Sequence, residues 1–167
     1  MNKEALLGQR AYFKMVHGVT VRCIELLTTE ELDFRPRPEM RSLRELFYHI
    51  YAMEKNWALH LPKGKITQAE EDVCIPETAA AKAVLANLKT VAALQAYAAE
   101  AKQMLDETLV KMSEEELQRM VETPFGSFPA WQFFTMLSDE HWHHRGQLYT
   151  YIRLLGKEPL MLYSYEG

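Results

Sequence analysis

The sequence predicts an all-α protein, a four-helix bundle with longer crossover connections. Four long segments carry apolar residues at steps of three and four, which is the period of a helix that buries one face. Proline and glycine mark the connections, and only a few residues around Met120 alternate as a strand does. A chain of 167 residues is long enough to bury a core, so we expect residues 1–167 to form a single helical bundle domain.

The first two predicted helices have well-marked boundaries. The first spans residues 3–27 and is followed by a proline-rich connector at residues 34–38, where a helix cannot continue. The second begins at Ser42, which is followed three positions later by Glu45 in the capping-box pattern. It ends at the Pro-Lys-Gly sequence of residues 62–64.

The third and fourth long helices are predicted at residues 90–112 and 129–155, with Gly156 at the position that favours a C-terminal cap. A weaker helical segment is expected at residues 76–88, and Ser113 begins a second capping-box pattern. The first connection and the loop after the second helix are longer than a tight up-down bundle needs. We therefore expect crossover connections.

Composition excludes several classes of partner. The formal net charge of −4 argues against nucleic acid, because phosphate binding requires a concentrated basic surface. No run approaches 18 apolar residues, so no membrane span is expected, and the charged first residues lack the apolar core of a signal peptide. Cys23 and Cys74 have no CxxC spacing, which predicts buried reduced thiols in a cytoplasmic protein.

Three of the six histidines lie within residues 141–144, inside the fourth helix. A helix turns by about 100° per residue, so with Glu140 at zero the apolar stripe falls between roughly 20° and 80°. His144 then lies near ~40° and His141 near ~100°, on or beside the stripe, whereas His143 lies well outside it. Any two of Glu140, His141 and His144 could bind one metal ion from a single helix.

A third ligand must come from another helix, and His49 is the obvious donor. It is an inward-facing histidine at the middle of the second helix, and borderline ions such as zinc and nickel favour imidazole nitrogen together with carboxylate oxygen. Three protein ligands would leave coordination positions open, as a catalytic ion requires. A metal-free, hydrogen-bonded histidine network is the alternative. The remaining histidines are expected at the surface or an interface: His17, His60 and His143.

Residues 42–50 and 143–148 resemble the DinB-like (DinB/YfiT) family, and residues 151–156 continue the match. The resemblance covers nearly the whole chain, and the His-His-Arg-Gly-Gln run is its most specific part. It implies a four-helix bundle that binds a divalent metal ion, zinc or nickel, through three histidines and forms a homodimer. Some members of the family are transferases or isomerases that use a low-molecular-weight thiol, and others are classed with hydrolases.

Carried over position by position, two of the family's metal ligands fall on His49 and His144. The third falls on Glu140, at a position where the family has a histidine. The resemblance thus favours Glu140 as the third ligand, while burial on the helical wheel favours His141. The third ligand stays open at this point. For residues 145–147, the resemblance implies a structural role: the arginine pairs with a carboxylate and the glycine admits a neighbouring helix.

Two functional hypotheses follow. The first is a metal-dependent (thiol-dependent) transferase or hydrolase that acts on a small molecule, with Glu140 as general base if it is not a ligand. Because neither cysteine lies near the histidines in the sequence and no serine lies in a nucleophile-elbow motif, the thiol would come from a cosubstrate. The alternative is a non-catalytic, stress-related bundle whose histidines form a metal-free core network.

Overall fold

Four long helices build the protein in the computed structural model, which describes residues 1–161 and 163–164. They are α1 (Lys3–Glu25), α2 (Leu43–His60), α5 (Val91–Lys111) and α7 (Ala130–Leu154). The predicted all-α fold class is confirmed. Each of these four long helices lies within the segment whose apolar period predicted it. Leu162 and residues 165–167, which end the predicted domain, lie outside the described residues.

Short elements fill the connections between the long helices. They are α3 (Gln68–Asp72), α4 (Ala79–Leu85), α6 (Glu114–Gln118) and two 3₁₀ turns, Glu30–Asp33 and Leu61–Lys63. A hairpin of β1 (Met120–Thr123) and β2 (Gly126–Pro129) precedes α7. The sequence did not predict this hairpin, because strands of four residues are too short to establish an alternating pattern. Gly126 closes the turn with a φ of 141°, a backbone conformation that favours glycine.

The capping box predicted at the start of α2 is present. The Ser42 hydroxyl accepts a hydrogen bond from the Glu45 amide at 3.2 Å, and the Glu45 carboxylate accepts one from the Ser42 amide at 2.7 Å. Ser113 and Glu116 form the same reciprocal pair at the start of α6, as predicted. These bonds satisfy amide groups that have no partner within the helix, and they fix where each helix begins.

The long helices are arranged so that consecutive ones are not always neighbours. Helix α1 packs against α7 and α5, and α2 packs against the same two helices. Consequently α1 and α2 lie diagonally across the bundle, and the connections from α1 to α2 and from α5 to α7 are crossovers. A crossover was expected in the first connection, as observed, and in the loop after the second helix, where the expectation is wrong because that loop joins α2 to its neighbour α5. Residues of α1, α2 and α7 can therefore meet at the centre of the bundle.

The core is apolar along most of its length but contains a group of polar side chains. Aromatic contacts such as the edge-to-face pair of Trp57 and Phe133, with ring centroids 5.1 Å apart, fill the end near the hairpin. The buried polar group includes His17, Glu54 and His141, each at most 1% exposed. Among the described residues, no helix has the length and apolar character needed to cross a membrane.

We expect Ser42→Ala to destabilise the protein by about 1 kcal/mol, because the side chain that caps α2 is lost. The free energy of unfolding, measured by urea denaturation, checks this. Ser127→Ala is the matched control, since Ser127 is exposed in β2 and its loss should change stability by less than about 0.5 kcal/mol. Equal stabilities for Ser42→Ala and the wild type would contradict the role of the cap.

Candidate metal centre

His49 lies on the side of α2 that faces α7 and is buried. Its Nδ1–H donates a hydrogen bond to the Cys74 carbonyl oxygen at 2.6 Å, in the segment after α3. Because a neutral imidazole carries one proton, this bond leaves the lone pair on Nε2. Nε2 is directed towards α7, where it lies 3.9 Å from the Glu140 carboxylate oxygen Oε2.

His144 presents its Nε2 to the same point from α7. Its Nδ1–H donates to the Gln147 side-chain oxygen at 2.7 Å, one helical turn further along. The imidazole rings of His49 and His144 meet edge to face, with centroids 4.8 Å apart. Hydrogen bonds of this kind orient metal-binding histidines and set their tautomers. Gln147, for which a structural role was implied, thus supports His144 directly.

Glu140 completes the group, one turn before His144 on α7. Its Oε2 lies 3.3 Å from His144 Nε2, and its side chain is one-third exposed. The ligand atoms of His49, Glu140 and His144 all lie within 4.8 Å of one another. The structure therefore brings together the three residues that the resemblance aligned with the family's ligands, with a carboxylate as the third member.

The protonation states suit a metal ion. Burial is the main cause that lowers the pKa of His49 below its ordinary value of 6.5. The neighbouring His144 is the main cause that lowers the pKa of Glu140 below its ordinary value of 4.5. At neutral pH, His49 is thus neutral and Glu140 is ionised, and these are the forms in which they bind a cation.

The donor set and its spacing fit a divalent ion of the zinc or nickel type. Two imidazole nitrogens and one carboxylate oxygen are ligands that these ions prefer. Ligand bonds of roughly 2.0–2.1 Å in a tetrahedral arrangement place ligand atoms about 3.3 Å apart. The separations of 3.3 Å and 3.9 Å from Glu140 to the two histidines are close to that value. Small side-chain rotations would bring all three onto one ion.

His141, the rival for the third position, faces a different cluster. It is fully buried, with Nε2 2.7 Å from Glu54 Oε1 on α2 and Nδ1 3.2 Å from the Thr20 hydroxyl on α1. The helical wheel correctly predicted that His141 is buried. In the structure, however, His141 does not lie beside His144. Since one residue turns the helix by about 100°, Glu140 and His141 point into different gaps between the helices.

The second cluster contains two residues that the sequence analysis missed. His17 was expected at the surface or an interface, but it is 1% exposed, with Nε2 3.5 Å from Glu54 Oε1. That expectation is wrong because α1 turns this side chain towards the centre of the bundle. Glu54 was not singled out, although a carboxylate between the apolar residues Met53 and Trp57 was a signal of a buried polar site.

Burial and the neighbouring histidines, His17 and His141, have opposing effects on the pKa of Glu54. Desolvation raises its pKa, but the neighbouring His17 and His141 outweigh desolvation and leave the pKa below its ordinary value. Burial lowers the pKa of His141 to about 4. Glu54 is therefore a buried carboxylate that depends on its two imidazole neighbours.

Arg145 and Gly146 do not make the contacts that the resemblance implied. Arg145 is buried and donates to the Val16 carbonyl oxygen at 3.0 Å, and its guanidinium lies 4.2 Å from the centre of the Trp142 ring. Within the described part of the chain it forms no ion pair with a carboxylate. Gly146 is exposed, and a Cβ atom added at this position would meet no atom of a neighbouring helix within 4 Å. It therefore does not serve a close approach between helices.

An open cavity of about 320 Å³ adjoins the first cluster. It is lined by Met40, Arg41, Leu46, His143, His144, Gln147 and Tyr151. Arg41 supplies a guanidinium there, which forms a two-pronged ion pair with Glu77 at 2.9 Å and 3.1 Å. A small molecule in this cavity would lie beside His144. The second cluster, in contrast, is enclosed by three helices.

These features define a helical bundle with a candidate metal centre of two histidines and one carboxylate at the edge of a cavity. A family model described as the DinB superfamily matches residues 12–148. The chain belongs to the DinB superfamily. No curated protein matches the sequence.

Two solved structures have a similar fold. A DinB-like protein from Bacillus subtilis (YjoA) superposes with a TM-score of 0.68 over 93% of this chain and 97% of that chain, at 19% identity. A mycothiol-dependent maleylpyruvate isomerase superposes with a TM-score of 0.67 over 89% of this chain, at 18% identity. The match covers 63% of the isomerase, so this chain spans less than two thirds of its length. At such low identities, the likeness establishes the fold alone.

We expect Gln147→Leu to weaken metal binding by about 10- to 100-fold, because His144 loses the partner that fixes its tautomer. Competition with a chromogenic zinc chelator measures the affinity. Gln103→Leu on the exposed face of α5 is the control and should bind zinc like the wild type. A Gln147→Leu variant with unchanged affinity would show that this hydrogen bond does not support the centre.

We expect metal binding to resist mild acid. Protons compete with the ion for His49 and Glu140, and both side chains have pKa values below the ordinary 6.5 and 4.5. Protonation of these two ligands should therefore weaken binding only below pH 6.5. Zinc retention during dialysis across this pH range provides the measurement. The His17→Gln variant is used because it removes a histidine of the second cluster, so that only zinc at this centre is followed. Release from the centre beginning well above pH 6.5 would contradict the assigned protonation states.

Proposed function

We propose that the protein is a metal-dependent enzyme that transfers or isomerises a small molecule with the help of a low-molecular-weight thiol. One observation carries the proposal: His49, Glu140 and His144 converge within 4.8 Å of one another. His144 also lines the cavity of about 320 Å³, so an ion held by the three residues would be within reach of a ligand there.

The number of ligands favours a catalytic over a purely structural ion. Three protein ligands leave a coordination position open, whereas structural zinc sites usually have four. Glu140 is one-third exposed, so the centre is open on the side of its carboxylate. When bound, a divalent ion supplies Lewis acidity that lowers the pKa of a ligating water or thiol and polarises an electrophile.

The roles of the protein's own residues follow from their contacts. The Cys74 carbonyl and Gln147 hold the Nδ1 protons of His49 and His144, so that both Nε2 atoms remain available as ligands. Arg41 lies on the rim of the cavity, where it would bind a substrate carboxylate in exchange for its present partner, Glu77.

The thiol must come from a cosubstrate. Cys23 and Cys74 are both fully buried, and burial is the main cause that raises the pKa of each thiol, that of Cys23 to about 12. Neither can form a thiolate at neutral pH. The isomerase with the similar fold is mycothiol-dependent, which supports a thiol of this kind as the cosubstrate.

We also propose a homodimer, as the family resemblance implies. Sedimentation equilibrium of the purified protein tests this directly, since the 167-residue chain should sediment at twice its own mass.

The experiment that tests the enzyme is a thiol-dependent assay on zinc- and nickel-loaded protein. Maleylpyruvate and related carboxylate-bearing electrophiles are offered with mycothiol, glutathione or cysteine, and product formation is followed by chromatography. We expect conversion that requires both metal and thiol. We expect it to disappear in His49→Ala, whose bound metal should fall by one equivalent, and to survive in the matched control His60→Ala, since His60 lies at the end of α2 and belongs neither to the cavity lining nor to either cluster.

Two outcomes would contradict the proposal. If His49→Ala and His144→Ala retain all the metal of the wild type, these residues are not ligands, and the alternative of a metal-free histidine network at this centre gains support. If the loaded protein acts on esters or amides without any thiol, it is a hydrolase, and the transferase is wrong.

A further inference from the structure

The second polar cluster has no place in the proposed reaction, yet its composition is that of a metal site. His17 comes from α1, Glu54 from α2 and His141 from α7. One ligand atom from each lies within 4.8 Å of the other two, and all three side chains are buried. We propose that these residues form a second, structural site for a divalent ion of the zinc type, separate from the centre at His49.

The charge of Glu54 is the first argument. Its side chain is fully buried, and in the part of the chain that the structure describes its ion-pair partners are the two histidines, with no lysine or arginine among them. An ionised carboxylate in the interior costs several kcal/mol unless a positive charge lies beside it. The guanidinium of Arg10, whose charge acts on His141, is already paired with Asp106 at 2.7 Å. A divalent ion between Glu54 and the imidazoles supplies the missing charge.

Unpartnered atoms are the second argument. Among the described residues, three buried atoms around this carboxylate have no hydrogen-bond partner: Glu54 Oε2, His17 Nε2 and the Tyr51 hydroxyl. The Tyr51 ring packs against both histidines of the cluster, with its centroid 5.4 Å from that of His17 and 6.0 Å from that of His141. Buried polar atoms nearly always have a partner. An ion at this point would satisfy Glu54 and His17 together.

The tautomer of His141 is the third argument. The Thr20 hydroxyl has one proton, and its geometry allows it to donate to the Val16 carbonyl at 3.3 Å. It then accepts a hydrogen bond from His141 Nδ1–H at 3.2 Å. In this arrangement, His141 Nε2 carries a lone pair and faces Glu54 Oε1 at 2.7 Å. Such a pair needs a cation between its atoms: a proton in the metal-free protein, which a bound divalent ion would replace as the two atoms move apart to ligand spacing. Thr20 thus orients His141 as Gln147 orients His144.

The surroundings distinguish this site from the first. Helices α1, α2 and α7 enclose it, so a bound ion would join two helices, α1 and α2, that lie diagonally across the bundle. On its outer side, His17 borders a surface groove of about 270 Å³ beside Gly18 on α1. The buried position, with no substrate-sized opening, indicates that the ion stabilises the bundle and does not take part in catalysis.

The experiment measures metal equivalents on chelator-treated protein titrated with zinc, by equilibrium dialysis and elemental analysis. We expect two equivalents for the wild type, one for the His49→Ala/His144→Ala double variant, and two for the control His60→Ala, which lies outside both clusters. His17→Gln and Glu54→Gln should each retain one. In the double variant, zinc should still raise the melting temperature, and X-ray absorption should show two imidazole ligands and oxygen.

The double variant decides the question even if a substitution in the buried cluster prevents folding, because it leaves His17, Glu54 and His141 intact. A folded double variant that binds no zinc would overturn the proposal. A wild type that binds a single equivalent, lost in His17→Gln and retained in the double variant, would support the buried site and contradict the centre at His49. The failure of either site is therefore distinguishable from the failure of the other.

Discussion

The contact between His141 and Glu54 sets the position of α7 in the bundle. The two side chains meet at 2.7 Å in a fully buried environment, and His17 approaches the same carboxylate from α1. A rotation of α7 about its axis would separate these groups and leave Glu54 buried without its partners, which is costly. Because the helix is rigid and turns by about 100° per residue, this contact also determines the direction of Glu140 and His144.

The candidate metal centre depends on that constraint and adds supports of its own. With α7 held in this orientation, Glu140 and His144 point at His49 on α2, and the ligand atoms of the three lie within 4.8 Å of one another. The Cys74 carbonyl and the Gln147 side chain then fix the two imidazoles. Few groups are left to rearrange when an ion binds, which is how proteins raise affinity and hold an open coordination site in place.

The two clusters illustrate how neighbouring positions on one helix acquire different surroundings. Glu140 is one-third exposed beside the cavity, whereas His141, the next residue, has no exposed surface. The first environment gives access to small molecules and the second excludes them. Similar donor sets, two imidazoles and a carboxylate, are thus suited to a reactive centre in one place and to a structural role in the other.

The helices could be predicted from the sequence, because apolar spacing and capping residues such as Ser42 act locally along the chain. His49 and His144 were also identified, since each lies on the inward stripe of its helix and matches a family motif. The third position could not be decided by the same means. The wheel gave the direction of His141 correctly, but it contains no information about which helix lies in that direction.

The sequence by itself thus determined the all-α fold, the helix boundaries to within a few residues, the inward direction of His49, His141 and His144, and the resemblance that placed Glu140 beside them. The tertiary structure alone decided that Glu140 joins His49 and His144, and that His141 belongs with His17 and Glu54. The physical reason is that a side chain's direction follows from the helical period, whereas its partner depends on how α1, α2 and α7 cross, and contacts between distant segments set that crossing.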